Sequence, residues 1–203
     1  MQHIKDQIRA TILTGAESLF LKKGFCNTTM RDIASASGVG LSNIYNYFSS
    51  KDAIFRAIVN PVVEKMEKML YNHHGKDGHD IGDLYRDDYL ESVISEYAGL
   101  LKSDRRQMEL LLFHAGGSSF ENYKEEFCDL STAVVKEYIS DMKQRYHHLN
   151  VELSDFYIRL RCVWMFGLFE EILLRKIRGR DVDKIMREYI TSEIFGLSEL
   201  VRI

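Results

Sequence analysis

The sequence predicts an all-α protein: an N-terminal three-helix unit carrying a helix-turn-helix, followed by a larger helical C-terminal domain. Three observations lead there. The 203 residues contain one proline and 13 glycines, too few turn residues for a fold built of many short strands. Apolar residues recur at spacings of three and four through most of the chain. Glycine-bearing breaks at Gly24, Gly38, Gly116 and Gly179 fall between those stretches, where helix ends belong.

The first periodic stretch runs from Ile4 to Lys23, with Ile8, Ile12, Leu13, Ala16, Leu19 and Phe20 on one face and Gly24 as its C-terminal cap. Thr29 opens a short helix, Met30 to about Ser37, with Asp32 three residues on in a capping-box arrangement. Gly38-Val39-Gly40 turns the chain into a third helix, Ser42 to Phe48, anchored by Ile44 and Phe48. Two short helices joined by a tight glycine turn outline a helix-turn-helix, with Ile33, Ala34, Val39, Ile44 and Phe48 as its core.

Lys51 starts a longer helix along which Ile54, Ile58, Val62 and Met66 recur. It is expected to break or kink near Asn60-Pro61, because proline lacks an amide donor. Residues 71–80, with two glycines and three histidines, read as a solvated loop, and His73, His74 and His79 as loop histidines without the thiolate or carboxylate order of a metal site. Further helices are expected over 81–102, 104–115, 120–147, 154–177 and 182–200. Residues 1–60 are expected to form one domain and 61–203 the other.

Charge is unevenly placed. Residues 1–60 hold seven Lys/Arg and four Asp/Glu, a net +3, in a chain whose total is −3, so a basic head precedes an acidic body. Such a head draws phosphate to one end of the molecule. No apolar run approaches the ~20 residues of a membrane span, and no signal-peptide pattern is present, so a cytoplasmic location without membrane contact is expected. Cys26, Cys128 and Cys162 are widely spaced and odd in number, which suits reduced thiols.

The run Gly24-Phe25, Thr28-Thr29, Ile33-Ala34, Gly38-Val39, Tyr45-Asn46-Tyr47-Phe48 and Lys51-Asp52 closely resembles the DNA-binding signature of the TetR family of repressors, over about residues 4–60. The resemblance implies a homodimer on double-stranded operator DNA. It places Leu41, Ser42 and Asn43 against base edges, Thr29, Tyr45, Tyr47 and Lys51 against phosphates, and Arg31 on a phosphate or a base. Two positions depart from the family's pattern: Gly40 stands where serine is frequent, and Leu41 where a polar or basic residue is frequent. Base reading there can rest on apolar contact with thymine methyls. Tyr45 and Tyr47 can equally be half-buried packing residues, and Lys51 an ordinary solvated charge.

Residues 156–177 are the most apolar of the chain and cover most of a helix circumference. Such a helix is buried on more than one side, and the resemblance implies that the last two helices form the dimer interface. Tyr97, Phe113, His114, Tyr157, Arg161 and Trp164 are polar-edged or aromatic candidates for lining a cavity that admits an unknown small-molecule effector, with core packing as the other reading of each. The function expected is a sequence-specific transcriptional regulator, a repressor released by its effector. The alternatives are a regulator answering to a protein partner, or an activator. No glycine-rich phosphate loop, nucleophile elbow or His-Glu-x-x-His is present, so neither an enzyme nor a cofactor is expected.

Overall fold

The computed structural model describes residues 2–201 apart from Asp77, His148 and Asn150. The elements are α1 (Gln2–Lys23), α2 (Met30–Ser37), α3 (Leu41–Tyr45), α4 (Lys51–His74), a 3-10 turn (Ile81–Tyr85), α5 (Asp87–Lys102), α6 (Arg105–Phe113), α7 (Tyr123–Arg145), α8 (Asp155–Leu174) and α9 (Arg180–Val201). No strand occurs among the described residues. The chain makes two compact units: Met1–Glu64 with Arg106–Tyr123, and Lys65–Arg105 with Lys124–Ile203.

In the first unit, local chemistry sets the helix ends. Thr29 Oγ1 accepts from Asp32 N at 3.1 Å, and the Asp32 carboxylate accepts from Thr29 N at 2.9 Å, closing the capping box of α2. Those backbone and hydroxyl donors, helped by Lys23 at 3.4 Å, hold the Asp32 carboxyl below its ordinary pKa. Gly38 ends α2 at φ 65°, a left-handed conformation that any side chain would strain. Here α3 is shorter than its hydrophobic spacing suggests: Tyr47 N and Phe48 N continue only as turn hydrogen bonds to Ile44 O. Ser50 Oγ then accepts from Ala53 N at the start of α4.

The core of this unit combines Ile12, Ala16 and Phe20 of α1 with Ile33, Ile44, Ile54 and Phe55, all fully buried. Phe20, Phe25 and Phe55 meet with ring centres 5.2–5.8 Å apart. Each such ring removed from water contributes roughly 1.5–3 kcal/mol. A segment from mid-chain completes the unit. His114 O accepts from Phe25 N at 3.0 Å, Gly116 O from Cys26 Sγ at 2.9 Å, and Asp52 Oδ1 from Ser119 N at 2.8 Å. Arg106 and Gln107 both reach Glu17, at 3.0 and 3.2 Å. Gly117, at φ 82°, lies so close to Cys26 Sγ that a side chain there would collide with it.

The second unit packs α5 against α9, a pairing fastened at its rim by Glu91–Arg187 and Lys102–Asp183. Leu100 of α5, Phe166 and Phe169 of α8 and Val182 and Met186 of α9 are fully buried. Arg105 donates to Ile177 O at 2.8 Å and to Leu173 O at 3.3 Å, satisfying carbonyls at the end of α8.

Three expectations are corrected. The helix begun at Lys51 is not broken at Pro61: α4 continues through that exposed residue to His74, because proline forfeits one amide donor while the other backbone bonds and the apolar face at Val62, Val63 and Met66 persist. Residues 71–74 are therefore helical rather than loop, and His73 is buried. Residues 81–102 are two elements, because Asp80 caps the 3-10 turn and Arg86 is extended before α5 begins.

Candidate functional site

One candidate surface is the exposed side of α2 and α3. Ile44 points inward and is fully buried, which turns Ser42 and Asn43 outward; Tyr45 is 51% exposed. Leu41 and Tyr47 are half-buried, and Arg31 on α2 is exposed. Thr29 is exposed, but its hydroxyl proton goes to Asp32 Oδ2 at 2.9 Å, so the side chain already serves the cap. Lys51 is turned inward as well. Its Nζ donates to Phe25 O at 2.7 Å and lies 4.1 Å from the centre of the Phe25 ring. Arg9 of α1 sits over the Phe48 ring at 5.4 Å, bringing a cation beside the end of the turn that follows α3.

The second candidate is a cavity of about 150 Å³ inside the second unit. Met66, Met69 and Leu70 of α4, Leu100 of α5, Val135 of α7 and Met165 of α8 make its wall largely apolar. Tyr97, Tyr138 and Tyr189 bring phenol groups to the lining, and burial pushes the Tyr97 hydroxyl up to about 12, so it stays protonated. Arg161 donates through Nε to Glu193 at 2.7 Å, joining α8 to α9 across the wall. Cys162 also lines it, with its Sγ 3.1 Å from that of Cys128; both are buried free thiols.

Two histidines complete the polar part. His73 Nε2 lies 2.9 Å from Glu96 Oε2, and its Nδ1 lies 3.3 Å from the Tyr89 hydroxyl. Burial lowers its pKa, against the pull of Glu96. A carboxylate only accepts, so Nε2 carries the proton and Nδ1 accepts from Tyr89. His74 is driven down to about 3 by burial, with His73 and Arg161 adding to the effect, and is neutral at pH 7. Its Nδ1 is buried with no hydrogen-bond partner.

Residues 12–58 match the model of the bacterial regulatory proteins of the tetR family. The chain is 44% identical over 55 residues to the HTH-type transcriptional regulator YfiR of Bacillus subtilis (strain 168), and 29% identical over 68 residues to the HTH-type transcriptional repressor Rv3405c of Mycobacterium tuberculosis (strain ATCC 25618 / H37Rv). These matches cover 27% and 34% of this chain, and only 27% and 36% of those relatives. Over nearly the whole chain the fold is similar to that of NalD, the secondary repressor of the MexAB-OprM multidrug efflux pump in Pseudomonas aeruginosa. There the TM-score is 0.66 at 22% identity, covering 97% of this chain and 98% of that one. SCO3833 of Streptomyces coelicolor A3, a member of the TetR transcriptional regulator family, is similar at a TM-score of 0.60 and 19% identity, covering 91% and 89%. The likeness to the tetR family in sequence is thus carried by residues 12–58.

The sequence-predicted residues fall into separate places. Arg31 on α2 and Ser42, Asn43 and Tyr45 on α3 are exposed, whereas Thr29 and Lys51 are engaged within the unit itself. Of the six cavity candidates, Tyr97 and Arg161 line the cavity. Phe113 and His114 belong to the first unit, where His114 O holds Phe25 N. Trp164 is 47% exposed on α8, and Tyr157 is absent from the cavity wall. His74, Tyr138, Tyr189 and Glu193 were missed. For His74 a signal existed, since Met66, Met69, Leu70 and His73 continue the three-and-four spacing past the point where glycine and polar residues suggested a loop.

Proposed function

We propose that this protein is a TetR-type sequence-specific DNA-binding transcriptional regulator, a homodimeric repressor released from its operator by a small molecule. The observation that carries the reading is the exposed face of α3, where a buried Ile44 presents Ser42, Asn43 and Tyr45 on a helix-turn-helix within the stretch that matches the TetR model. A helix so presented reads base edges in the major groove, while neighbouring side chains hold phosphates. The relatives support the regulatory class, being named HTH-type transcriptional regulators or repressors.

Dimerisation is supported by the outer faces of α8 and α9, where Phe156 and Leu174 are 74% and 62% exposed and Phe195 is 66% exposed. Apolar surface of that extent calls for a covering partner, and a second copy supplies the same face by two-fold symmetry. Light scattering should give twice the 23.6 kDa chain mass. Release by an effector is supported by the cavity, and by a chain that passes between the two units at residues 64–65, 105–106 and 123–124. An effector need prefer the non-binding arrangement by only about 1–3 kcal/mol to free the DNA appreciably.

The test is selection of duplexes from a random pool, followed by fluorescence anisotropy on the sequence recovered. Asn43→Ala should cost about 1–3 kcal/mol at one base position and relax preference there. A protein that recovers no common sequence, or whose recovered site is read equally well by Asn43→Ala, breaks the assignment of α3.

A further inference from the structure

We propose that the cavity of the second unit binds a small neutral carboxamide or lactam, held through its carbonyl and its N–H together by the Arg161–Glu193 pair, and rejects the carboxylate and the amidinium of the same shape. The biological meaning of such binding rests on the regulator reading above; the binding itself concerns only the second unit.

The pair lies beneath its helices rather than on their rim. Arg161 stands one turn from Ile158 and one from Met165, and Glu193 one turn from Ile190 and two from Met186, all of them buried. Even so, the two side chains keep 25% and 20% of their surface accessible, and both line the cavity. Flanked by buried neighbours, that surface faces the cavity. Tyr97 is placed alike on α5: Val93, Ile94, Leu100 and Leu101 around it are buried, while it stays partly accessible and lines the same space.

The contact between the two charges leaves much unused. At the rim, Arg187 grips Glu91 with two guanidinium nitrogens, whereas Arg161 donates through Nε alone, to Glu193 Oε2 at 2.7 Å. Among the described residues, Arg161 Nη1 and Nη2, Glu193 Oε1 and the Tyr97 hydroxyl have no hydrogen-bond partner. None of them is sealed off, because His74 Nδ1 is the single unpartnered side-chain nitrogen or oxygen that lacks accessible surface. Both ends of the pair are open to a ligand.

The remaining guanidinium N–H bonds require an acceptor, as does the protonated Tyr97 hydroxyl, and the free carboxylate oxygen requires a donor. An amide carries both on neighbouring atoms, so it makes two hydrogen bonds at once, each to a charged group. Charge excludes its relatives. Burial lowers the pKa of His73 and His74, so among the described residues of the wall Arg161 and Glu193 are the charges at pH 7, and they cancel. A carboxylate brings a second anion beside Glu193, and an amidinium a second cation beside Arg161; each leaves a net charge inside. A cavity of about 150 Å³ matches the engineered one, in an unrelated protein, that binds a single benzene, and Met66, Leu70 and Met165 make much of its wall apolar. The body of the ligand is therefore one ring, or a chain of like size.

The test is calorimetric titration of the full-length protein, without DNA, at pH 7, with four probes of nearly one shape: benzamide, acetophenone, benzoate and benzamidine. Benzamide should bind about tenfold more tightly than acetophenone, which accepts but cannot donate to Glu193. Benzoate and benzamidine should each bind at least about tenfold more weakly than benzamide. Acetophenone, benzoate or benzamidine matching or exceeding benzamide overturns the proposal, as does a protein that binds none of the four. Glu193→Gln leaves the guanidinium charge unbalanced, so benzoate should there bind more tightly than benzamide. A folded Glu193→Gln that keeps the wild-type ranking overturns the role of the pair, since a pair that merely packs lowers all four affinities alike. Should that variant not fold, the wild-type ranking decides. Anisotropy on DNA is scored apart: probe binding as expected with no DNA binding breaks only the regulator reading, and DNA binding with a preference for benzoate breaks only this one.

Discussion

The two units use polar side chains in opposite ways. In the first, polar side chains largely serve the backbone: Thr29 accepts from Asp32 N, Ser50 from Ala53 N and Asp52 from Ser119 N, Lys51 donates to Phe25 O, and the Thr28 hydroxyl donates to Gly24 O at 2.8 Å. The interior they frame is largely apolar, built on Ile12, Phe20, Ile33, Ile44 and Phe55, and the outward side chains of α3 are exposed. In the second, polar groups have been carried inside, and they pair across helices: His73 with Glu96 and Arg161 with Glu193. Local caps define a shape that can be read by something outside, whereas pairs across helices define a space that can be read by something within.

The sharpest test of that contrast is Phe20→Ala. Phe20 is fully buried against Phe25 and Phe55, so its loss should cost about 3–5 kcal/mol, read as a lowered urea midpoint together with lost DNA binding. A cost near 1 kcal/mol would mean that the first unit is no better filled than the second.

Acid should act on the second unit through His74. Its pKa in the folded protein is about 3, against an ordinary 6.5, so between those values the unfolded chain holds a proton that the folded one does not. Stability is therefore unaffected above about pH 6.5 and declines as the pH falls toward 3. From pH 7 to pH 5 the His74 contribution is a loss of about 2 kcal/mol, and His74→Leu should remove it from urea-unfolding curves. Equal pH dependence in the two proteins would show that this ring is solvated.

Smaller effects belong to the caps. Thr29→Ala should cost about 1 kcal/mol, since Ala cannot accept from Asp32 N. Lys51→Met should cost a similar amount, about 1 kcal/mol, through the lost hydrogen bond to Phe25 O, and should leave the salt slope of DNA binding unchanged. A slope reduced by about one would restore Lys51 to the phosphate contacts.

These expectations also mark what the sequence could disclose. The span of α2, its capping box, the turn at Gly38 and the inward placing of Ile33 and Ile44 are all settled within a few residues, and each was legible. For Lys51 the sequence shows less, because one acceptor of its Nζ, Phe25 O, lies 26 residues away, and nothing in the spacing of charges announces a carbonyl. His114 and Phe113 looked like cavity residues for the same reason: which unit a helix joins is decided by partners such as Phe25 N, not by its own periodicity. Pro61 and the histidines of α4 failed differently. There a local rule was applied correctly and was outweighed by packing along Val62, Met66, Met69 and Leu70.

That the first unit borrows residues 106–123 from mid-chain bears on how such a protein can be remade. Anyone grafting this head onto another sensor by joining genes at residue 60 would leave Phe25 N, Cys26 and Asp52 without the groups that meet them at His114, Gly116 and Ser119. A working chimera has to carry two separate stretches of sequence, and recombination that keeps one while replacing the other is penalised at the first crossover.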